Sequence, residues 1–418
     1  MHKIANLYNE NFNFLIGKDS KWLENIRLNL IKQIEIDGLP NKKKEIWKYA
    51  NLEHINNINF KVTNSIKNHE ILDESNIIQL IDGKYILPKK IFNQESIHIE
   101  NLKQSINNFE NYFMFNKDYF LNDFTIDINT IFLNEGLSII IKNNKEYHLH
   151  IKYKYLNNDV TSFIRNIIKV NKNSKLFLIE EFENSESINN FSNIFNIFWL
   201  EEGAKVEHII IQNSQITSNI LYSSLVSCFE NSNFNQLAFH KGSQSSKFQH
   251  TTNLIGRNSS ANHNGIYFGK NKQYLDNKTT VLHHEENCKS NQSYKGILND
   301  EANGSYLSKT VVNKKAQKTD GYQMSKCILL NDSCKLRTKP ELVIYADDVK
   351  CSHGSTIGEI DQNQLFYLRS RGIDKKFAEG LLIKAFYQDV LKIINDNLSK
   401  DKINSLVDIW LDENYNGK

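Results

Sequence analysis

The stretch Ala346–Ser355, "ADDVKCSHGS", places two aspartates, a thiol and an imidazole within a few residues. It follows "PELVIY", which reads as a strand. If "ELVIYADDVKCSH" is extended, alternate side chains share a face: Tyr345, Asp347, Val349, Cys351 and His353 on one side, Asp348, Lys350 and Ser352 on the other. Cys351 and His353 then point the same way, about 7 Å apart along the strand. A thiolate with an imidazole suits iron, zinc or copper, and a thiolate in particular suits iron–sulfur chemistry. Two ligands do not close a four-coordinate site, so the others would come from elsewhere or from a partner subunit. The plainer reading, a buried cysteine and a hydrogen-bonded histidine near a turn, is the commoner one for these residue types. Asp347 and Asp348, on opposite faces, make no acid–base pair, and capping the strand end suits them better.

A second cluster, "LHHEENCKSNQ", holds His283, His284, Glu285 and Cys288. Its spacing fits no metal motif, and a polar loop between strands accounts for it. Cys228 reads as a strand-interior residue, and Cys327 and Cys334 as strand and turn residues flanking "ILLNDS". The five cysteines form no CxxC pair. The chain has no phosphate-binding loop, no dinucleotide fingerprint after a strand and no GxSxG. It shows no self-contained active site.

The elements that must position Cys351 and His353 are mostly β. From about Phe124 to Tyr345 short β-rich runs such as "LSIIIK", "VEHIIIQ" and "GIYFG" alternate with Gly, Asn, Ser and Asp turns. Ala204, Asn233, Ala261, Asn303 and Cys334 recur at intervals of 29, 28, 42 and 31. That loose period points to a solenoid, with a large sandwich as the other option. Ahead of it, Ser20 is placed to cap a helix carrying Leu23, Ile26, Leu30 and Ile34, which Gly38 and Pro40 end. After it come three helical segments. Asp361 and Asp374 cap the first two, Phe377, Leu381, Ala385, Phe386, Val390, Ile393 and Ile394 form a broad apolar face, and the last spans about 402–412. The expected division is a helical and mixed region at 1–118, a β core at 119–360 and a C-terminal helical module at 361–418. Apolar area exposed on so small a module would be a docking surface.

Bulk composition excludes several classes. Lys plus Arg at 51 against Asp plus Glu at 48 is too balanced for a nucleic-acid-binding protein. No apolar run approaches the ~20 residues of a membrane helix, and the first residues lack a secretory h-region. With an odd number of cysteines, these features predict a cytoplasmic protein with reduced thiols. The abundance of asparagine is attributed to genome composition rather than to structure.

The run "LHHEENCKSNQSYKGIL … AQKTDGYQMSKCILL … TKPELVIYADDVKCSHGSTIGEIDQNQLFYLRSRGI", about His283 to Ile373, resembles the SufD family, subunits of the SUF iron–sulfur cluster assembly machinery. Ala378–Phe386 extends the resemblance, and "EIWKYANL" at Glu45–Leu52 is similar to that family's N-terminal signature, with Ala50 where threonine is usual. The related SufB family typically carries a Glu-Ala-Thr-Thr-like sequence where this chain has "CSHGST", and its chains are longer.

The resemblance implies a right-handed parallel β-helix between helical regions, and a non-enzymatic scaffold complexed with a SufB-like subunit and a SufC-like ATPase. It implies that Cys351 and His353 hold a transient iron–sulfur cluster shared with SufB, none being bound stably by this chain alone. Sulfur would arrive indirectly from a desulfurase and its carrier. The implied ATPase-docking residues are Leu365, Phe366, Tyr367, Leu368, Arg369, Arg371, Gly372, Phe377, Leu381 and Phe386. A homodimer of the isolated chain is expected from an interface built for a β-helix relative; nucleic acid and membrane are not expected partners. Alternatives are a SufB-like scaffold, a β-helix enzyme acting on polysaccharide through Asp347 and Asp348, and a freestanding metal carrier.

Overall fold

The computed structural model describes residues 3–40, 76–88, 95–110, 123–183, 188–214 and 217–415. Glu45–Leu52 lies outside them. Among the described residues one sheet has ten strands and the other nine. From Glu135 onward successive strands alternate between the sheets, and each pairs in parallel with the strand two places further on. The chain therefore winds as a parallel β-helix of about eight turns, mainly β and flanked by helices at both ends, as the resemblance implied.

The period is set by the coil. In the ten-stranded sheet Glu146, Lys175, Lys205, Asn233, Ser260, Lys289, Asp320 and Lys350 stand in one line across neighbouring strands. The loose repeat in the sequence mixed two such lines: Asn233 and Ala261 belong to one sheet and Asn303 to the other, which accounts for the long interval. One corner of each coil needs a left-handed residue. Asn144, Asn173, Gly203, Asn231, Asn258, Asn287 and Lys318 occupy it with φ between 56° and 68°. Each donates its N–H to a carbonyl of the next coil, as Asn231 does to Arg257 (2.9 Å). Asparagine tolerates this conformation better than most side-chain-bearing residues, so at these corners its abundance has a structural cause.

The interior between the sheets is apolar at its first coils and polar toward its last. Leu178, His208, Gln236, His263, Gln292, Gln323 and His353 share one register position. Buried Glu180 begins the polar part: it accepts from His208 Nε2 (2.7 Å), Asn196 (2.7 Å) and the hydroxyls of Tyr153 and Tyr222 (2.5 Å each). Burial alone would raise its pKa, but these donors outweigh it and hold the carboxyl below its ordinary range.

The outer faces are covered by helices. Lys3–Asn11, Lys21–Asp37 and Phe124–Phe132 pack Ile4, Tyr8, Ile31, Ile34 and Ile128 on Phe163, Phe191 and Leu221 of the nine-stranded sheet. Gln362–Ser370, Lys375–Leu391 and Asn397–Tyr415 cover the ten-stranded sheet, where Trp410 meets Phe268 at 5.0 Å between ring centroids.

Four expectations need correcting. The boundary at 118 does not hold, because Ile77–Ile81, Lys84–Ile86 and Ile97–Asn101 already belong to the two sheets and Phe124–Phe132 is a helix. The last helix starts at Asn397, not near 402. The apolar face expected on Lys375–Leu391 is split: Ala378, Ile383, Tyr387, Val390 and Leu391 are buried, whereas Phe377 and Leu381 are 65% and 38% exposed. Ser20 stands at its helix N-terminus, but its hydroxyl bonds Asn107 Oδ1 (2.5 Å) and makes no cap hydrogen bond.

Candidate functional site

"ELVIYADDVKCSH" is two strands and a corner. Lys335–Ile344 and Val349–Gly358 are the last strands of the two sheets, and Asp347 and Asp348 lie in the turn between them. Parity therefore cannot run from Tyr345 to His353, and the two aspartates are not assigned faces by it. Asp348 serves the corner through its backbone, its carbonyl accepting from Lys318 N (2.6 Å) and its N–H donating to Gln317 Oε1 (2.9 Å).

Within Val349–Gly358 the parity argument stands. Cys351 pairs with Gly321 and His353 with Gln323, both on the interior-facing line of the ten-stranded sheet. Cys351 is half-buried beside Val312, Ala316 and Ala346, and His353 is exposed. Burial raises the Cys351 thiol, opposed by a hydrogen-bond contact with the Gly321 backbone, while the charge of Asp320 adds to the rise. No other His, Cys, Asp or Glu joins the two, since the described residues contain no group of three such side chains placed to hold a metal ion.

The surroundings explain why the pair is accessible. The last two strands pair inward only, so the β-helix ends at its final coil with two free edges among the described residues. The opposite end is closed differently, by antiparallel strands Lys84–Ile86 and Ile97–Asn101. Pro340 and the alternating Lys335, Arg337 and Lys339 blunt one free edge against indiscriminate pairing. The other edge reads Cys-Ser-His-Gly-Ser-Thr, and Ser355 Oγ reaches Thr338 Oγ1 (3.1 Å) across the mouth.

The second cluster is tied down as a polar corner. Buried His283 bonds Ser290 Oγ (2.9 Å), His284 bonds Asn313 (2.9 Å), Glu285 pairs with Lys315, and buried Cys288 contacts Gly256 O (3.3 Å). The remaining cysteines, 228, 327 and 334, are buried.

The C-terminal residues divide by burial. Leu365 is buried, and Leu368 and Phe386 pack on the core; Phe366, Tyr367 and Phe377 are 74%, 57% and 65% exposed. Asp361 accepts from Asn363 N and Gln364 N, and Asp374 from Lys376 N and Phe377 N, so both caps form as expected. Arg369 is exposed, and Arg371 bonds the Tyr367 hydroxyl (3.0 Å) from a guanidinium over that ring. Gly372 turns the chain with φ 86°. Sequence reasoning passed over Gly321, Ser290 and Gln323, whose only signal is the register spacing to Cys351 and His353.

Residues 154–386 match the family described as "SUF system FeS cluster assembly, SufBD core domain", and residues 1–78 match "SufBD protein N-terminal region". The iron–sulfur cluster assembly protein SufD of Escherichia coli is 25% identical over 390 residues, covering 89% of each chain. An iron–sulfur cluster assembly SufBD family protein of Synechocystis sp. is 29% identical over 201 residues, 48% of this chain and 44% of its own. Another from Pyrococcus horikoshii is 25% identical over 264 residues, 62% of this chain and 59% of its own.

Proposed function

The chain belongs to the SufBD family, and we propose that it acts as a SufD-like, non-enzymatic scaffold in iron–sulfur cluster assembly by the SUF system. The observation that carries this reading is the final coil, which has two unpaired strand edges and bears Cys351 and His353 on its interior line. A SufB-like subunit docks against those edges and supplies the missing ligands, so that a transient cluster is built between the chains as cargo. Neither chain has to hold the cluster alone, which suits a site whose product must leave. The same edges support pairing of the isolated chain with itself.

A SufC-like ATPase binds the C-terminal module. What supports this is the row of large apolar side chains left exposed on its outer side, Phe366, Tyr367, Phe377 and Leu381. ATP-driven movement of that module would strain or open the mouth of the β-helix, and sulfur would reach it indirectly from a desulfurase and its carrier. The thiols are reduced, as in the cytoplasm.

The test is cluster assembly by the reconstituted complex containing Cys351→Ser or His353→Ala. Both variants should retain SufB-like and SufC-like partners on co-purification and assemble clusters at least tenfold more slowly. Normal assembly by both variants would remove the pair from the mechanism.

A further inference from the structure

We infer that Gly321 is a positioning residue for Cys351: the side chain it lacks sets how deep the sulfur sits in the mouth of the β-helix. The inference rests on the reading of Cys351 as a cluster ligand.

One register line of the interior runs Leu176, Val206, Phe234, Ala261, Ser290, Gly321, Cys351. Beyond Phe234 the line carries only the small residues Ala261, Ser290 and Gly321 until the sulfur is reached. Glycine weakens a strand interior, so its presence in the middle of a ladder points to a close approach. Gly321 is not among the residues of positive φ, so its backbone does not require glycine. What requires it is space. A Cβ at Gly321 would lie 3.3 Å from Cys351 Sγ, 3.6 Å from Ser290 Oγ and 3.7 Å from Thr310 Cγ2.

Which neighbour would yield to that carbon follows from how each is held. Ser290 Oγ is bonded to buried His283 (2.9 Å). Thr310 Oγ1 accepts from both Gln292 (2.8 Å) and Gln323 (2.7 Å). Gln323, fully buried beneath His353, also donates to Glu341 O (3.2 Å) and accepts from Ser308 (3.0 Å). The bed is therefore braced on all sides, whereas Cys351 sits on an edge strand with no further strand beyond it among the described residues. A methyl group at 321 moves the sulfur outward by a few tenths of an ångström and leaves the bed in place. Metal–thiolate distances are held within about 0.2 Å, so such a shift matters to a cluster shared with a second chain.

The full-length chain is compared as wild type, Gly321→Ala, Gly354→Ala and Cys351→Ser. Gly354→Ala adds the same methyl to the same strand pair but meets only the flexible end of Met324. In the isolated chain, iodoacetamide should alkylate Cys351 at least threefold faster in Gly321→Ala. In the reconstituted complex that variant should assemble clusters at least threefold more slowly and shift their sulfur-to-iron absorption bands. Gly354→Ala should match wild type in alkylation of the isolated chain, the readout that does not involve the docking edge. If Gly321→Ala matches wild type in alkylation and spectrum while Cys351→Ser abolishes assembly, the positioning role is overturned and the cluster site stands. If Cys351→Ser assembles clusters normally, the cluster reading itself falls. Should Gly321→Ala fold poorly, the wild-type chain decides: relative to an unhindered thiol such as glutathione, a seated sulfur should be slowed at least tenfold more toward N-benzylmaleimide than toward iodoacetamide, and equal slowing overturns the seating.

Discussion

Lys295 reaches from the wall of the β-helix and holds Asp389 of the C-terminal module, its Nζ 2.7 Å and 2.8 Å from the two carboxylate oxygens. The same ammonium donates to the carbonyl of Phe386 (2.6 Å) and lies 4.9 Å from the centre of that ring. Lys402 bridges Glu181 and Glu183 (2.7 Å to the latter) and Lys270 bridges Glu413, and both of these ammonium groups are more exposed than that of Lys295. Lys295 is only 9% exposed, although Asp389 is 66% exposed, and its one ammonium holds both a carboxylate and a main-chain carbonyl of the helix.

Replacing Lys295 by methionine should keep the packing of its stem and remove the clamp, at a cost of about 1–3 kcal/mol. Native-state hydrogen exchange of helix Lys375–Leu391 should then quicken by about tenfold to a hundredfold. Exchange in the distant strands Val160–Val170 and Asn190–Leu200 should be unchanged. A uniform rise across the whole chain would mean that the module does not open on its own.

The exposed aromatic side chains of the module separate binding from folding. Phe366→Ala with Phe377→Ala removes large surfaces that contribute little to the core, so the melting temperature should hold. Capture of a SufC-like ATPase should fall by about thirtyfold or more, as for loss of a central aromatic anchor. Leu365→Ala should do the reverse, lowering stability first because its side chain is buried. Equal ATPase binding by wild type and the double variant, measured by calorimetry, would place the docking surface elsewhere.

How much of this was legible in the sequence depends on how local the cause was. The relation of Cys351 to His353 needed only strand parity over three residues, and it survives in the folded chain. Parity failed at Asp347 and Asp348 because a corner, not a strand, carries them. The coil period was half visible, blurred because residues from two sheets were counted as one series. The interior ladder His208, Gln236, His263 was not legible at all. Polar residues at alternate positions suggest a solvent face, and only stacking in register lets them satisfy one another: Gln236 donates to His208 (3.2 Å) and accepts from His263 (2.9 Å). The bed beneath Cys351 was missed for the same reason, since Gly321 lies thirty residues away in sequence.

Lys318 is the corner residue that breaks its own series. It holds φ 59° where the equivalent corners carry asparagine or glycine. A long side chain gains nothing locally from the left-handed region, whereas asparagine adopts it readily. Lys318→Asn should therefore stabilise the chain by about 1 kcal/mol, a rise of roughly 1–3 °C in melting temperature. A fall would show that the lysine side chain makes a compensating contact at this corner.

His240 is buried in the interior with both ring nitrogens lacking a hydrogen-bond partner, its ring centre 3.8 Å from that of Phe248. Burial pushes its pKa down to about 3, and His263 and His283 are likewise pushed down to about 3. In the unfolded chain each titrates near 6.5. Between these values the unfolded state binds more protons than the folded one, so stability is full above about 6.5 and falls as the pH drops toward 3. The slope is about 1.4 kcal/mol per pH unit for each such histidine. His240→Leu removes one of them together with two unpaired polar atoms from an apolar contact. It should raise stability by about 1–3 kcal/mol at pH 7.5. The gain should widen as the pH falls to 5, because one source of the acid slope is gone. Urea unfolding at the two pH values measures both quantities. A variant less stable than wild type at pH 7.5 would show that the imidazole is hydrogen-bonded in solution.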